Sequence, residues 1–268
     1  MKKFELTAEF VTNVFGKKLF RIKALVAFGN VEKGELGGFI EKEDNLSHDG
    51  EAWVYGDARV SGNALVSGDA RVYGDARVSD NALVYGNAWV SGNAQVSGNA
   101  RVSGNAWVYG NARVSGYAWV SGNAQVYGDA LVYGNAWVSG NAQVSGNAWV
   151  SGNAQVYGNA LVSGDARVYG DARVSDNALV YGNAWVSGNA DYAVVTGFGR
   201  YFRTTTFFRC KDKILRVQCG CFYGDLAQFR EIVKKTHGDS KYAKEYLAIA
   251  DLMELHFSDE EEKQEADE

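Results

Sequence analysis

The side chains best suited to acid–base, nucleophilic or metal chemistry lie outside the middle of this 268-residue chain. His48 precedes the middle, and Cys210, Cys219, Cys221, His237 and His256 follow it; from Gly50 to Ser187 there is no His, Cys or Lys. Cys210, Cys219, Cys221 and His237 match a zinc site in number and ligand type. Cys219 and Cys221, at i and i+2 on a strand, would face the same way. No tight CxxC pair accompanies them, and free cysteine is commonly a small core residue. The favoured expectation is therefore no metal, no cofactor and no catalytic residue. His48 is the one histidine beside the middle segment that could serve as a general base.

What the middle offers instead is aromatic surface. If every third six-residue unit shares a side, one side carries Trp53, Tyr55, Tyr73, Trp89, Trp107, Tyr109, Tyr127 and Tyr181. The other two sides carry four aromatics each. Exposed stacked rings suit sugars or a protein partner. The same rings arranged as cross-strand ladders would simply brace a sheet, and that is the favoured expectation. Seven arginines in the repeats are matched by a similar number of corner aspartates, and the net charge is -5. Such a mixed surface gives no electrostatic case for nucleic acid.

These residues are placed by a repeat. From Gly50 to Ser187 the chain runs through 23 six-residue units: Gly, mostly Asn or Asp, Ala, a variable residue, Val, then Ser or Tyr. Within Ala-x-Val-Ser/Tyr the period is two, so Ala and Val share one face and the variable residue and Ser/Tyr the other. Gly-Asn and Gly-Asp suit a sharp bend because they tolerate positive φ, as does Asp at the two exceptions, Asp80 and Asp176. A four-residue strand cannot bury its Val alone, but stacked units bury all of them. The absence of Pro fits a backbone whose N–H groups nearly all donate to a neighbouring strand.

Residues 1–49 read as a cap: strands over Phe4 to Val11 and Leu19 to Val26 form a hairpin, and a degenerate opening unit places Leu46 in the Ala slot and His48 in the Val slot. The coils extend to residue 190. Residues 191–257 read as a small α+β region with strands over 192–196, 203–209 and 214–219. Helices follow from Asp225 to Thr236 and from about Lys241 to His256. Residues 258–268 hold seven acidic residues and one lysine, the composition of a disordered tail. The opening MKKFELTAEF lacks an apolar signal core and no stretch is long enough to span a membrane, so an intracellular protein with reduced cysteines is expected.

The unit Val-Tyr-Gly-Asp-Ala-Arg (Val54 to Arg59) resembles the hexapeptide-repeat family. That resemblance implies a left-handed, three-sided parallel β-helix, here an all-β solenoid of about eight coils, roughly 36 Å long at a strand spacing of about 4.8 Å. It also implies a homotrimer as an oligomeric option. Acyltransferases of this kind place a catalytic His on a coil or a loop leaving it, and the carbonic anhydrases on the same fold need three His around zinc; neither pattern occurs in these coils. The stretches RIKALVAFGNVEKGELGGFIEKEDNLSHDGEAWVYG and RTTTFFRCKDKILRVQCGCFYG…THGDSKYAKEYLAI are similar to uncharacterised bacterial and prophage proteins. A bacterial cytoplasm or phage particle is therefore the expected location.

Residues 62–94 recur identically as 158–190, a shift of 16 units and not a whole number of three-unit coils. A copied block lands on the next side of the rod, which disfavours one precise constellation spread over coils. The leading expectation is a non-enzymatic scaffold presenting its C-terminal region to an unidentified protein. The alternatives are a glycan- or protein-binding aromatic side, and an acyltransferase-like enzyme.

Overall fold

The computed structural model describes residues 2–258. The acidic segment 259–268 lies outside the described residues. The middle is a parallel β-solenoid of about eight turns, built from three sheets. Each unit contributes a two-residue strand, and pairing joins residues 18 apart, as in Val54↔Val72, Val60↔Val78 and Val66↔Val84. One coil is therefore three units. From Val54 to Val186 the repeat valines are fully buried, and the repeat alanines are buried with them.

The corner chemistry follows from how closely coils approach. Gly122 has φ 67°, and a Cβ there would sit 3.0 Å from the Gly140 amide nitrogen. Asp80 and Asp176, in the same slot, adopt φ 62° and 60°. Beside them the Asn residues stack: Asn105 donates through Nδ2 to Asn123 Oδ1 at 3.0 Å, and the ladder continues through Asn141 to Asn159. Asn is thus used twice, as a bend residue and as a rung.

Outside the two-residue strands, whose parallel pairing alternates in direction, the backbone bonds between coils run one way. Each coil's amides donate to carbonyls of the following coil, as in Trp53 N to Ala70 O (3.0 Å) and Tyr55 N to Val72 O (2.8 Å). The open edge of the first coil therefore has an excess of orphan carbonyls and that of the last an excess of orphan amides, and buried orphans must find partners. The caps meet these opposite needs with opposite chemistry.

At the first coil, donors are supplied. An N-terminal hairpin, β1 (Phe4–Thr12) and β2 (Lys18–Ala24), leads into β3 (Leu36–Ile40), which adds in parallel to the first coil through Phe39↔Arg59 and Ile40↔Val60. The buried Lys3 ammonium donates to Gly50 O and Ala52 O (3.2 and 2.9 Å). The buried Asn45 amide donates to Gly62 O and Ala64 O (3.1 and 2.8 Å). The register expected for the opening unit is corrected: Leu46 bridges Val66 and so fills a Val place. His48 is left outside the coil, stacked on Phe4 at 4.4 Å and 2.7 Å from Glu43 Oε1.

At the last coil, acceptors are supplied. Asn189 Oδ1 takes the Arg173 amide (2.9 Å) and Thr206 Oγ1 the Leu179 amide (2.9 Å). Asp191 Oδ2 takes the Ser187 and Gly188 amides (2.7 and 3.0 Å). Beyond lies an antiparallel sheet, which we number onward from the cap strands: β4 (Tyr192–Phe198), β5 (Arg203–Arg209), β6 (Leu215–Cys219) and β7 (Phe222–Asp225). The short β7 was not expected from the sequence. Helices α1 (Leu226–His237) and α2 (Lys241–His256) follow, and α1 opens with an Asp225–Gln228 capping box. Phe207, Val217, Phe229, Val233, Tyr246 and Met253 form this region's own core. Phe208 and Cys210 belong instead to the core that runs through the coils. The end region is thus fused to the rod by packing as well as by hydrogen bonds.

Candidate functional site

The aromatic side expected from unit counting is one continuous sheet, but its rings are largely spent on each other. Trp53 is corrected outright: it is fully buried between Phe4 and Phe28, so it offers no surface. Tyr55 and Tyr73 stack at 4.4 Å, Trp89 and Trp107 at 5.1 Å, and Tyr109 and Tyr127 at 4.9 Å, each pair within 10° of parallel. Half-burial beside Tyr73 pushes the Tyr55 phenol up to about 12. Tyr109 and Tyr127 direct their hydroxyls to Gln125 and Gln143. Tyr181, at the far end, meets Tyr223 edge-on. Parallel stacking covers ring faces, so these ladders brace the sheet and present mostly ring edges to a ligand.

The concave aromatic surface lies on a different sheet, where the rod meets its end region. A cavity of about 530 Å³ is lined by Asp165, Arg167, Asn183, Ala184, Trp185, Lys211 and Asp212. A second, of about 190 Å³, shares Arg167 and Trp185 with it and adds Tyr133, Trp149, Ser151 and Tyr169. Trp149, Arg167 and Trp185 are consecutive rungs of one sheet. The Arg167 guanidinium sits 4.3 Å from the Trp149 ring centre and 5.8 Å from that of Trp185. Here the rings are not parallel: Tyr133 meets Trp149 at 74° and Tyr169 meets Trp185 at 57°.

The end region closes this cleft. The Lys211 amide donates to Asn183 O, and Ala184 bridges Cys210, which fixes the turn carrying Lys211 and Asp212 over the last coil. Lys211 Nζ lies 6.0 Å from the Trp185 ring. The carboxylates nearby are otherwise engaged. Asp212 is held bidentately by Arg216 at 2.8 and 2.7 Å, which pulls its carboxyl down to about 2, and Asp165 accepts from Asn147. Counting every third unit does put Tyr133, Trp149, Tyr169 and Trp185 on one side. What the sequence lacked was Lys211, placed by a contact with no repeat to predict it.

Of the four zinc candidates, three line one cavity and Cys210 lies apart from them. Cys219, Cys221 and His237 line a cavity of about 180 Å³ in the end region, together with Arg200, Arg203, Phe229 and Tyr246. Cys210 lies instead at the junction, buried, with its thiol pushed up by desolvation. Cys219 is 3.1 Å from the Thr205 hydroxyl and 3.9 Å from that of Tyr246, contacts typical of a packed thiol. Among the described residues no three of His, Cys, Asp and Glu are placed to share a metal ion. No helix among them is long and apolar enough to cross a membrane.

In ten stretches between residues 52 and 188, some of them overlapping, the coils match the family model of the YdcK Beta solenoid repeat. No match is found among curated proteins.

Proposed function

For a chain that is a β-solenoid repeat protein, we propose a non-enzymatic role: a rigid spacer that holds its C-terminal region at a set distance and angle for a protein partner. The supporting observation is the fusion at the last coil. Leu179 bonds Thr206, Ser187 bonds Asp191, and Phe208 and Cys210 complete the rod's core. The number of units then sets where the end region points. The internal duplication fits this role, since a spacer keeps its function when its sides are permuted and a multi-coil site does not. A left-handed winding, an origin in phage or prophage, a place in the bacterial cytoplasm or the phage particle and a homotrimeric assembly belong to the same reading, on resemblance alone.

Coil deletion is the test. Removing Gly92 to Tyr109, three units, should shorten the rod by one coil and keep the end region's azimuth. Removing Gly98 to Ser103, one unit, should turn that region by about a third of a turn. Both should fold, because solenoid stability is roughly a sum of nearest-neighbour terms. Partners captured by the full chain should be retained by the three-unit deletion and altered by the one-unit deletion. Loss of every partner in both well-folded variants, or saturable His48-dependent turnover of an acyl-CoA, would remove the spacer reading.

A further inference from the structure

We propose that the cleft at the rod's end is a binding site for an acidic saccharide, with Arg167 and Lys211 receiving its carboxylate. The proposal is independent of the spacer reading, and neither Gly92 to Tyr109 nor Gly98 to Ser103 contributes to the cleft.

Charge sets the first requirement. Two cations, Arg167 and Lys211, lie within 6 Å of the Trp185 ring, and among the described residues neither forms an ion pair with a carboxylate. Of the two aspartates lining the cavity, Asp212 is neutralised by Arg216, while Asp165 accepts from the uncharged Asn147 amide and keeps its charge. With Asp212 paired to Arg216 and Asp165 offsetting one of the two cations, the cavity lining keeps a net positive charge, which favours an anionic ligand.

The geometry of Arg167 narrows the kind of anion. Its guanidinium carbon sits 4.3 Å from the Trp149 ring centre, a cation–π contact, and the N–H edge is what the group offers a ligand. That edge is a planar fork of donors, and its complement is a pair of coplanar oxygens, as in a carboxylate. Lys211 adds a point charge 6.0 Å from the Trp185 ring centre, at the same cavity.

The walls narrow the rest of the ligand. A nucleobase needs a bare, flat platform, and here the indole faces are shared with Arg167 while the flanking tyrosines stand at 57° and 74° to them. Non-parallel aromatic walls fit a puckered ring that shows C–H groups on its faces and hydroxyls at its rim. Asn183, Asp165 and Ser151 stand at the cavity edges as hydroxyl partners. The two cavities are joined through Arg167 and Trp185, and Trp149 and Trp185 are two coils apart, about 9.6 Å at the usual strand spacing. The site therefore has room for more than one sugar unit along the rod axis.

The test is isothermal titration of the full chain with oligogalacturonides, against three comparison probes: neutral gluco-oligosaccharides of matched length, inorganic phosphate and adenosine monophosphate. The acidic oligomer should bind, and neutral oligomers should bind at least tenfold more weakly. Arg167→Gln and Lys211→Gln, both at exposed side chains, should each weaken binding about tenfold, the equivalent of about 1.4 kcal/mol. Arg71→Gln, which alters the same Arg–Trp pair in the other copy of the duplicated sequence, should leave binding unchanged. Trp185→Phe should weaken binding less than either charge removal and keep the melting temperature within a few degrees. Absence of oligogalacturonide binding at millimolar concentration overturns the proposal. So does equal binding of the neutral oligomer, equal or tighter binding of phosphate or the nucleotide, or an Arg71→Gln effect as large as that of Arg167→Gln.

Discussion

Residues 62–94 and 158–190 have the same 33-residue sequence and different surroundings. Within each copy the local geometry repeats: Arg71 lies 5.6 Å from the Trp89 ring, and Arg167 lies 5.8 Å from the Trp185 ring. The difference comes from the coil above. Over the first copy Trp107 stacks on Trp89 at 5.1 Å and closes the surface. Over the second copy no coil follows, and the end region brings Lys211 and leaves a cavity. Arg71 is half-buried and Arg167 is exposed. The copies also sit on different sheets, because their offset is not a whole number of coils. In this solenoid a unit's sequence fixes its own bend and its inward side chains. What its outward side chains can do is fixed by residues 18 positions away, or by the cap.

The largest break in the comparison should come from charging the core at equivalent positions. Val84 is paired on both sides, with Val66 and Val102, whereas Val180 is paired with Val162 and capped by the end region. Aspartate at either place buries an unpaired carboxylate, at a cost of about 3–5 kcal/mol. Val84→Asp should split the rod and abolish a single cooperative melt. Val180→Asp should release the last coil and the end region while earlier coils stay protected, since each coil depends mainly on its neighbours. Limited proteolysis with mass spectrometry separates the two outcomes. Identical cleavage maps would mean that the rod does not behave as a chain of nearest-neighbour units.

A smaller difference is expected at the equivalent corners Gly86 and Gly182. Asp is already accepted in this slot at Asp80 and Asp176, with φ near 60°. Gly86→Asp should therefore cost about 1–2 kcal/mol, the usual cost of a side chain in left-handed backbone. At Gly182 a Cβ would run into the Tyr223 hydroxyl, and that ring is held by Tyr181 and Phe208. Gly182→Asp should cost more, and the excess should appear as faster amide exchange confined to the last coil and the strands from Tyr192 to Asp225. Equal losses at the two corners would show that Tyr223 does not seat the end region.

Most of the rod was legible because every unit satisfies the same local rules: Val and Ala at a period of two, and Gly where φ is positive. The cap strands and helices were legible for similar reasons, with Asp225 and Gln228 giving the start of α1. The failures share a cause. Trp53 has the same slot as Trp89 but is buried, because Phe4 and Phe28 from the hairpin cover it. Leu46 occupies a Val place because the chain between it and Gly50 does not keep the six-residue count. Cys210 and Cys219 read alike in sequence, yet one joins the rod's core and the other faces a cavity of the end region. In each case the deciding contact comes from a segment outside the repeat, where no period carries the information.

The smallest expected effect concerns the coil beneath the first copy, and it depends on pH. The buried Lys3 ammonium closes Gly50 O and Ala52 O, where the far end of the rod uses the Asp191 carboxylate. Desolvation holds Lys3 down to about 8, against 10.5 for the free side chain, with partial compensation from Asp49 and Asp69. Between these two values the folded chain has given up the proton that the unfolded chain still binds. Stability therefore gains a contribution that rises with pH across that window, and the group contributes no slope below about 8, where both states are protonated. The neutral amine keeps two N–H donors for its two carbonyls, so the cap survives the change. Tyr55 acts oppositely only at higher pH: held up to about 12, it stays protonated when unfolded tyrosines ionise near 10. Melting temperatures from pH 7.5 to 9.5 should thus climb more steeply, or fall less, in the parent than in Lys3→Met, which has no proton to lose. Parallel curves for the two proteins would place the Lys3 amine in water and leave the first coil's carbonyls closed by something else.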